Sequence, residues 1–219
     1  MQKNKDQPEL ATKLRKTYAE IAPAIAARLA EFSALWKQGS DLEIFRELCF
    51  CTCTPQTKAH KGWAGAQALF GKNLLAAGNA QTIAETLRDC GVRFHNNKAA
   101  YIVKNRQNFY PGTKQKISAI LNLEDPQSAL CGAVAGWGMK EAAHFLRNIG
   151  SGDIACILDR HILRQLARCQ VIANIPKTLS KTVYREIDAK MKAFAETCRI
   201  PLAALDLVFW YEETGEIFK

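Results

Sequence analysis

The chain contains no Cys-x-x-Cys pair and no cluster of four cysteines, although it carries eight cysteines in 219 residues. Cys49, Cys51 and Cys53 alternate with Phe50 and Thr52, while Cys90, Cys131, Cys156, Cys169 and Cys198 stand singly. Zinc and iron–sulfur sites are built from closely spaced ligand pairs, so the pattern argues against a metal. It suits reduced thiols used as small apolar side chains in a cytoplasmic protein, with no cofactor expected. Apolar runs stay well short of the roughly 18 residues that a membrane span requires. The opening Met1-Gln2-Lys3-Asn4-Lys5-Asp6 has none of the apolar core of a secretory leader. Repeats, low-complexity linkers and convincing strand pairs are also missing.

What is present is ordinary globular material. At 48% hydrophobic and 23% charged residues the chain can bury a core without disulfide or metal staples. Its length suits one catalytic domain over 1–219 made of two packed subdomains. Thirty Lys and Arg against twenty-one Asp and Glu leave +9, a balance that suits a polyanionic partner without identifying one.

Helical periodicity dominates. Leu14, Tyr18, Ile21, Ile25, Leu29, Phe32 and Leu35 follow three-and-four spacing, with Pro23 the place to expect a kink or break. Ser40 and Glu43 form a capping box opening a helix with a stripe of Leu42, Phe45, Leu48, Cys49 and Thr52. Further helices are expected over 58–70, 81–90 with Gly91 as stop, 99–109 ended by Pro111-Gly112, and from Asp125-Pro126 through Leu130. Others suit 140–148, 159–169, 180–198 and 201–211. The fold class is all-α.

Leu130 to Ala143 holds the densest chemistry. A short helix runs into a turn with Gly136 and Gly138, and a second helix begins near Lys140. Glycines two apart permit positive φ and close backbone approach, and the free amides of the following helix can seat a phosphate. A plain helix-to-helix turn has the same glycines. Lys140 sits at that helix start, where the dipole disfavours the ammonium and favours a free amine able to attack carbon. Asp159 opens the next helix in Ile157-Leu158-Asp159-Arg160-His161-Ile162-Leu163. An acid there is also what simple capping requires, yet it can share a pocket with Lys140.

The hairpin, lysine and downstream aspartate resemble the helix–hairpin–helix superfamily of base-excision DNA glycosylases. The strings Gly138-Met139-Lys140-Glu141-Ala142-Ala143-His144-Phe145-Leu146-Arg147-Asn148-Ile149-Gly150 and 157–163 resemble the archaeal-type class of 8-oxoguanine DNA glycosylase/AP lyases. So do Pro55-Gln56-Thr57 and the ending from Leu205 to Gly215 that closes at Lys219. The resemblance runs from about residue 40 to the C-terminus. It implies a helix–hairpin–helix glycosylase fold with a central block of about 45–150, a second block of about 1–44 plus 151–219, and DNA in the cleft between them.

The implied reaction excises 8-oxoguanine from double-stranded DNA through a lysine Schiff base and cleaves the strand by β-elimination, with the nucleotide first flipped out of the stack. Lys140 matches the nucleophile and Asp159 the carboxylate that stabilises oxocarbenium-like charge or helps deprotonate the amine. Gly136 and Gly138 match the phosphate-holding hairpin, His161 a position near the flipped nucleotide's backbone, and Gln56 the residue that fills its gap. Trp210 matches the aromatic that stacks on the base, and Phe94 is the candidate for the opposite face. Lys219, whose terminus reaches the pocket in this class, and Asp206, one turn before Trp210, are the candidates for reading the base. Phe94, Asp206 and His161 also suit ordinary packing or solvent exposure.

From Arg93 to Lys116 six basic residues, Arg93, Lys98, Lys104, Arg106, Lys114 and Lys116, run without an acid and with Phe94, Tyr101, Phe109 and Tyr110 among them. This fits backbone contact beside an unstacked base, or a solvated helix face. The hairpin lacks a proline before its first glycine and carries the bulky Trp137, and the loop 148–153 has glycines but no proline. Iron–sulfur cysteines near the C-terminus are missing, which argues against the endonuclease III and adenine glycosylase branches. The expected protein is a monomer that meets DNA at the nucleoid, not a membrane. The competing readings are the same scaffold acting on another oxidised base or on abasic sites only, and a non-catalytic helix–hairpin–helix DNA-binding protein.

Overall fold

The computed structural model describes residues 7–219; Met1 to Asp6, and with them the leader reading, lie outside the described residues. Twelve helices and no strand occur among the described residues. The first, α1 (Gln7–Gln38), continues through Pro23 without a break. Pro23 is exposed, so water can reach the carbonyl that it deprives of a donor. Tyr18 and Ile21 before the proline and Ile25 and Leu29 after it pack into one hydrophobic cluster, and Leu35 and Trp36 near the end of the helix pack against a second. Tertiary packing at both ends overrides the local breaker.

Next come α2 (Asp41–Cys53), α3 (Ala59–Gly71), the single turn α4 (Leu74–Ala77), α5 (Ala80–Asp89) and α6 (His95–Phe109). The capping box is formed as read: Ser40 Oγ accepts the Glu43 amide and Glu43 Oε2 accepts the Ser40 amide. From Ile44 onward α2 is buried nearly all round, so the expected stripe is too narrow. Burial raises the thiols of Cys49, Cys51 and Cys53, the last to about 12, which leaves them as packing groups.

α7 (Thr113–Leu121) was not legible as a helix. Its start follows Gly112 at φ +89° and is held by Asp41, whose carboxylate accepts the amides of Gly112 at 2.6 Å and Lys114 at 2.9 Å. The chain continues through α8 (Pro126–Ala133), α9 (Met139–Asn148), α10 (Arg160–Arg168), α11 (Lys181–Cys198) and α12 (Leu202–Thr214). Asp125 caps α8 with Pro126 in its first turn, as the sequence implies.

Two hydrophobic clusters organise these elements. One joins α2, α3, α5, α6, α8 and α9 around Phe45, Phe50 and Phe145. The other joins the first half of α1 to α10, α11 and α12 around Met191, Phe194 and Phe209. The segment between α9 and α10 passes from one to the other, with Ile157 in the first cluster and Leu158 in the second.

Candidate active site

A cavity of about 510 Å³ opens where the two clusters meet, within the roughly 300–1,000 Å³ of small-ligand sites. Six of the ten candidate residues line it: Lys140, Asp159, His161, Asp206, Trp210 and Lys219. The other four, Gln56, Phe94, Gly136 and Gly138, do not.

α9 supplies one wall. Lys140, His144 and Arg147 fall at i, i+4 and i+7 on a single helix face, and all three reach the cavity. Lys140 Nζ donates to Thr54 Oγ1 at 3.0 Å and pairs with Glu141 Oε1 at 2.9 Å, contacts that it must release to reach a ligand. Burial, with Arg147, Lys140 and Lys219 nearby, holds the His144 imidazole well below its usual range, so it is neutral at pH 7. The Lys219 main chain lies beside this ring and partly opposes the shift.

Asp159 does cap α10, with Oδ1 accepting the Ile162 amide at 2.9 Å, so its capping and pocket placements coexist. Across the cavity α12 presents Asp206 and Trp210 one turn apart. Asp206 Oδ2 takes Arg147 Nη1 at 2.7 Å, while its Oδ1 is buried without a partner. Burial pushes the Asp206 carboxyl up, opposed chiefly by Arg147. The Trp210 ring meets the edge of His161 at 5.1 Å, and its Nε1 is also buried and unpartnered. Glu213 Oε2, 2.9 Å from His161 Nδ1, holds that imidazole from behind.

Lys219 turns its side chain away from the cavity, with Nζ 2.5 Å from Glu47 Oε2 and 4.1 Å from the Trp63 ring centre. One residue earlier, the Phe218 ring packs at a tilt against His60 with centres 3.9 Å apart, and His60 Nε2 lies 2.8 Å from Glu216 Oε1. Sequence reading missed His60, Glu47, Glu141, His144 and Arg147. The helical spacing from Lys140 would have pointed to His144 and Arg147; no local signal pointed to Glu47 or His60.

The hairpin corrects two expectations. Gly136 does adopt φ +83°, but the Tyr101 ring, not a ligand, fills the space of its missing Cβ, which would lie 2.4 Å from Cδ2. Gly138 has φ −109°, and its amide is taken by Glu141 Oε2 at 3.1 Å instead of pointing free. Asn105 clamps the turn from α6, exchanging both side-chain bonds with the backbone of Ala135. Trp137 is no loop ornament: it is buried against Phe145 and donates to Thr52 Oγ1. Gly136→Ala should therefore cost about 1–3 kcal/mol, because a strained φ and a clash act together. Gly138→Ala should stay within about 0.5 kcal/mol. Urea unfolding of the two variants tests this contrast.

Gln56 and Phe94 are exposed residues in left-handed conformation, at φ +53° and +55°. A lysine braces both. Lys98, 4% exposed, donates to Cys53 O, Pro55 O and Thr57 Oγ1, and Thr57 Oγ1 accepts the Arg93 amide. Burial lowers the Lys98 amine to about 8. Lys98 is thus an internal strut, not a surface cation for backbone contact. Arg106 also bonds carbonyls of the protein and Lys114 is partly buried, which leaves Arg93, Lys104 and Lys116 as the exposed members of the basic stretch.

Residues 25–200 match the family model described as 8-oxoguanine DNA glycosylase. The chain is 38% identical over 215 residues to an 8-oxoguanine DNA glycosylase/AP lyase of Fusobacterium nucleatum, covering 96% of this chain and 98% of that protein. The crystal structure of the 8-oxoguanine DNA glycosylase of Thermotoga maritima superposes with a TM-score of 0.86 at 31% identity, over 97% of this chain and all of that one. The Methanocaldococcus jannaschii 8-oxoguanine glycosylase/lyase in complex with a 15mer DNA containing 8-oxoguanine gives 0.85 at 34% identity, over 94% and 100%.

Proposed function

Because the chain belongs to the 8-oxoguanine DNA glycosylase family, we propose that it excises 8-oxoguanine from duplex DNA and cleaves the strand with Lys140 as nucleophile. One observation carries this assignment of roles: Lys140 and Asp159, nineteen residues apart and on different helices, open onto the same cavity as Trp210 and Lys219. The amine attacks C1′ of an extruded nucleotide and displaces the base, losing a proton to give an aminal; its C1′–O4′ bond then breaks as O4′ takes up a proton, which opens the sugar ring and leaves a protonated Schiff base. Removal of a 2′ proton next breaks the C3′–O bond. The Asp159 carboxylate, fixed by its capping bond, stabilises the cationic sugar.

Trp210 offers a stacking face, backed by His161, and base–aromatic stacking is worth about 1–3 kcal/mol. Stacking does not separate guanine from its oxidised form. The Lys219 main chain, beside His144, supplies an acceptor for the N7 hydrogen that oxidation creates, and the unpartnered Asp206 Oδ1 supplies a second polar group. Gly136 and Gly138 shape the hairpin turn that meets a phosphate, through backbone other than the Gly138 amide that Glu141 holds. Gln56 and Phe94, presented on the turn and loop that Lys98 braces, fill the gap and cover the base from outside the cavity. Among the described residues no helix is long and apolar enough to cross a membrane. The working form is a monomer in two subdomains acting at the nucleoid.

A lesion panel with borohydride tests the reading. Duplexes holding 8-oxoguanine or an abasic site should each give a trapped covalent adduct, with 8-oxoguanine the best-released base. Preferred release of thymine glycol would overturn the substrate, and absence of any adduct would overturn the lysine chemistry.

A further inference from the structure

We propose that Glu47 is a positioning residue for base recognition, pinning the Lys219 side chain so that the Lys219 main chain is held at the cavity. This rests on the reading above, in which that main chain meets the base. Glu47 is 0% exposed, and a carboxylate in so dry a place is costly unless paired and hydrogen-bonded. Both of its oxygens are satisfied. Oε2 takes Lys219 Nζ at 2.5 Å and Oε1 takes Asn148 Nδ2 at 2.6 Å. Phe32, Phe50 and Trp63 surround the same ammonium at 5.7, 5.7 and 4.1 Å, adding ring faces to the carboxylate.

The contacts continue beyond Glu47. Asn148 Oδ1 accepts Arg147 Nε at 3.0 Å, and Arg147 Nη1 reaches Asp206 Oδ2. A buried chain thus joins Lys219 to Asp206, the two residues assigned to reading the base. Its charges alternate and cancel, and the Asn148 amide has one orientation, because a flip would lose both of its bonds. Docking the last residue and neutralising Glu47 are therefore one event. Elsewhere the tail is held by the half-exposed His60–Glu216 pair and by Ile217 and Phe218, each partly buried against one of the two clusters.

The test compares two substrates, because a pin for base reading should matter only when a base is present. Glu47→Gln should lower kcat/KM for 8-oxoguanine excision about 10- to 100-fold and reduce discrimination against guanine, as an acceptor loses its alignment. Cleavage of a preformed abasic site should stay within about threefold, since it needs Lys140 but no base contact. If Glu47→Gln does not fold, Glu47→Gln/Lys219→Met, which leaves no unpaired buried charge, is assayed for the same loss of excision. Equal loss on both substrates, or unchanged excision, overturns the pin. A protein lacking residue 219 separates the two levels. If it excises 8-oxoguanine normally, the reading of Lys219 fails and the pin with it; if it loses excision while Glu47→Gln keeps it, the pin alone fails.

Discussion

Replacing Lys140 by Gln should eliminate the borohydride-trapped adduct with 8-oxoguanine duplex and lower strand cleavage by about 10³-fold or more. Glutamine carries no nucleophilic amine, yet it keeps most of the length and can still donate to Thr54 Oγ1, the hydroxyl that Nζ contacts now. The Lys140–Glu141 pair is lost, but the glutamine amide can donate in place of the amine and the lysine end is 22% exposed, so the cost should stay at about 1 kcal/mol. Glu141 still accepts the Gly138 amide, so the start of α9 and the hairpin before it keep their support. The variant should therefore unfold near the parent's urea midpoint and bind duplex with similar affinity, while chemistry stops. That split separates a nucleophile from a structural lysine, which would lose stability and activity together. An undiminished adduct would move the nucleophile to another amine.

The fold was legible wherever the determinants were local. Ser40 with Glu43 and Asp125 with Pro126 announce helix starts through residues no more than three apart, and both are formed. Determinants distant in sequence were not. Pro23 reads as a break because a window around it cannot see the cluster that grips α1 both before and after it, or the second that holds its far end. α7 depends on Asp41, more than seventy residues away, for its first-turn amides. The same division runs through the site. Lys140, Asp206 and Trp210 sit on regular helices, where spacing fixes direction, Asp159 is fixed as the cap of another, and they meet in one cavity. Gln56 and Phe94 sit at left-handed positions that propensity cannot foresee in non-glycine residues, and they face outward. Lys98 shows why a count of basic residues misleads: three carbonyl and hydroxyl oxygens capture it inside the protein. Glu47 gave no signal at all, since a lone glutamate on a buried helix is interpretable only once its partners from α9 and the last residue are in place.

Arg147→Leu should be the most destabilising of the substitutions considered, by about 3–5 kcal/mol near neutral pH, because it strands the Asp206 charge. Arg147 and Asp206 are 5% and 10% exposed at the side chain, so water cannot replace the missing partner. Asn148 Oδ1 loses its donor in the same step, and Phe32 loses the guanidinium that lies 5.1 Å over its ring. For a chain of this length the loss corresponds to a fall in melting temperature of about 2–4 °C per kcal/mol. The pH dependence gives the cause. Burial already raises the Asp206 carboxyl, and Arg147 is the main influence pulling it down, so removing the arginine raises it further. A carboxyl whose folded value lies above its unfolded value binds protons more tightly when folded, so its cost is full above the folded value and fades as pH falls through it. The difference between variant and parent should therefore shrink from about pH 7.5 to about pH 5, even as other carboxylates weaken both proteins. Arg147→Leu/Asp206→Leu should recover most of the loss at the higher pH, since neither charge then remains buried alone. A deficit that is the same at both pH values, and that the double variant does not relieve, would place the cost in lost packing against Phe32 instead of in the stranded carboxylate.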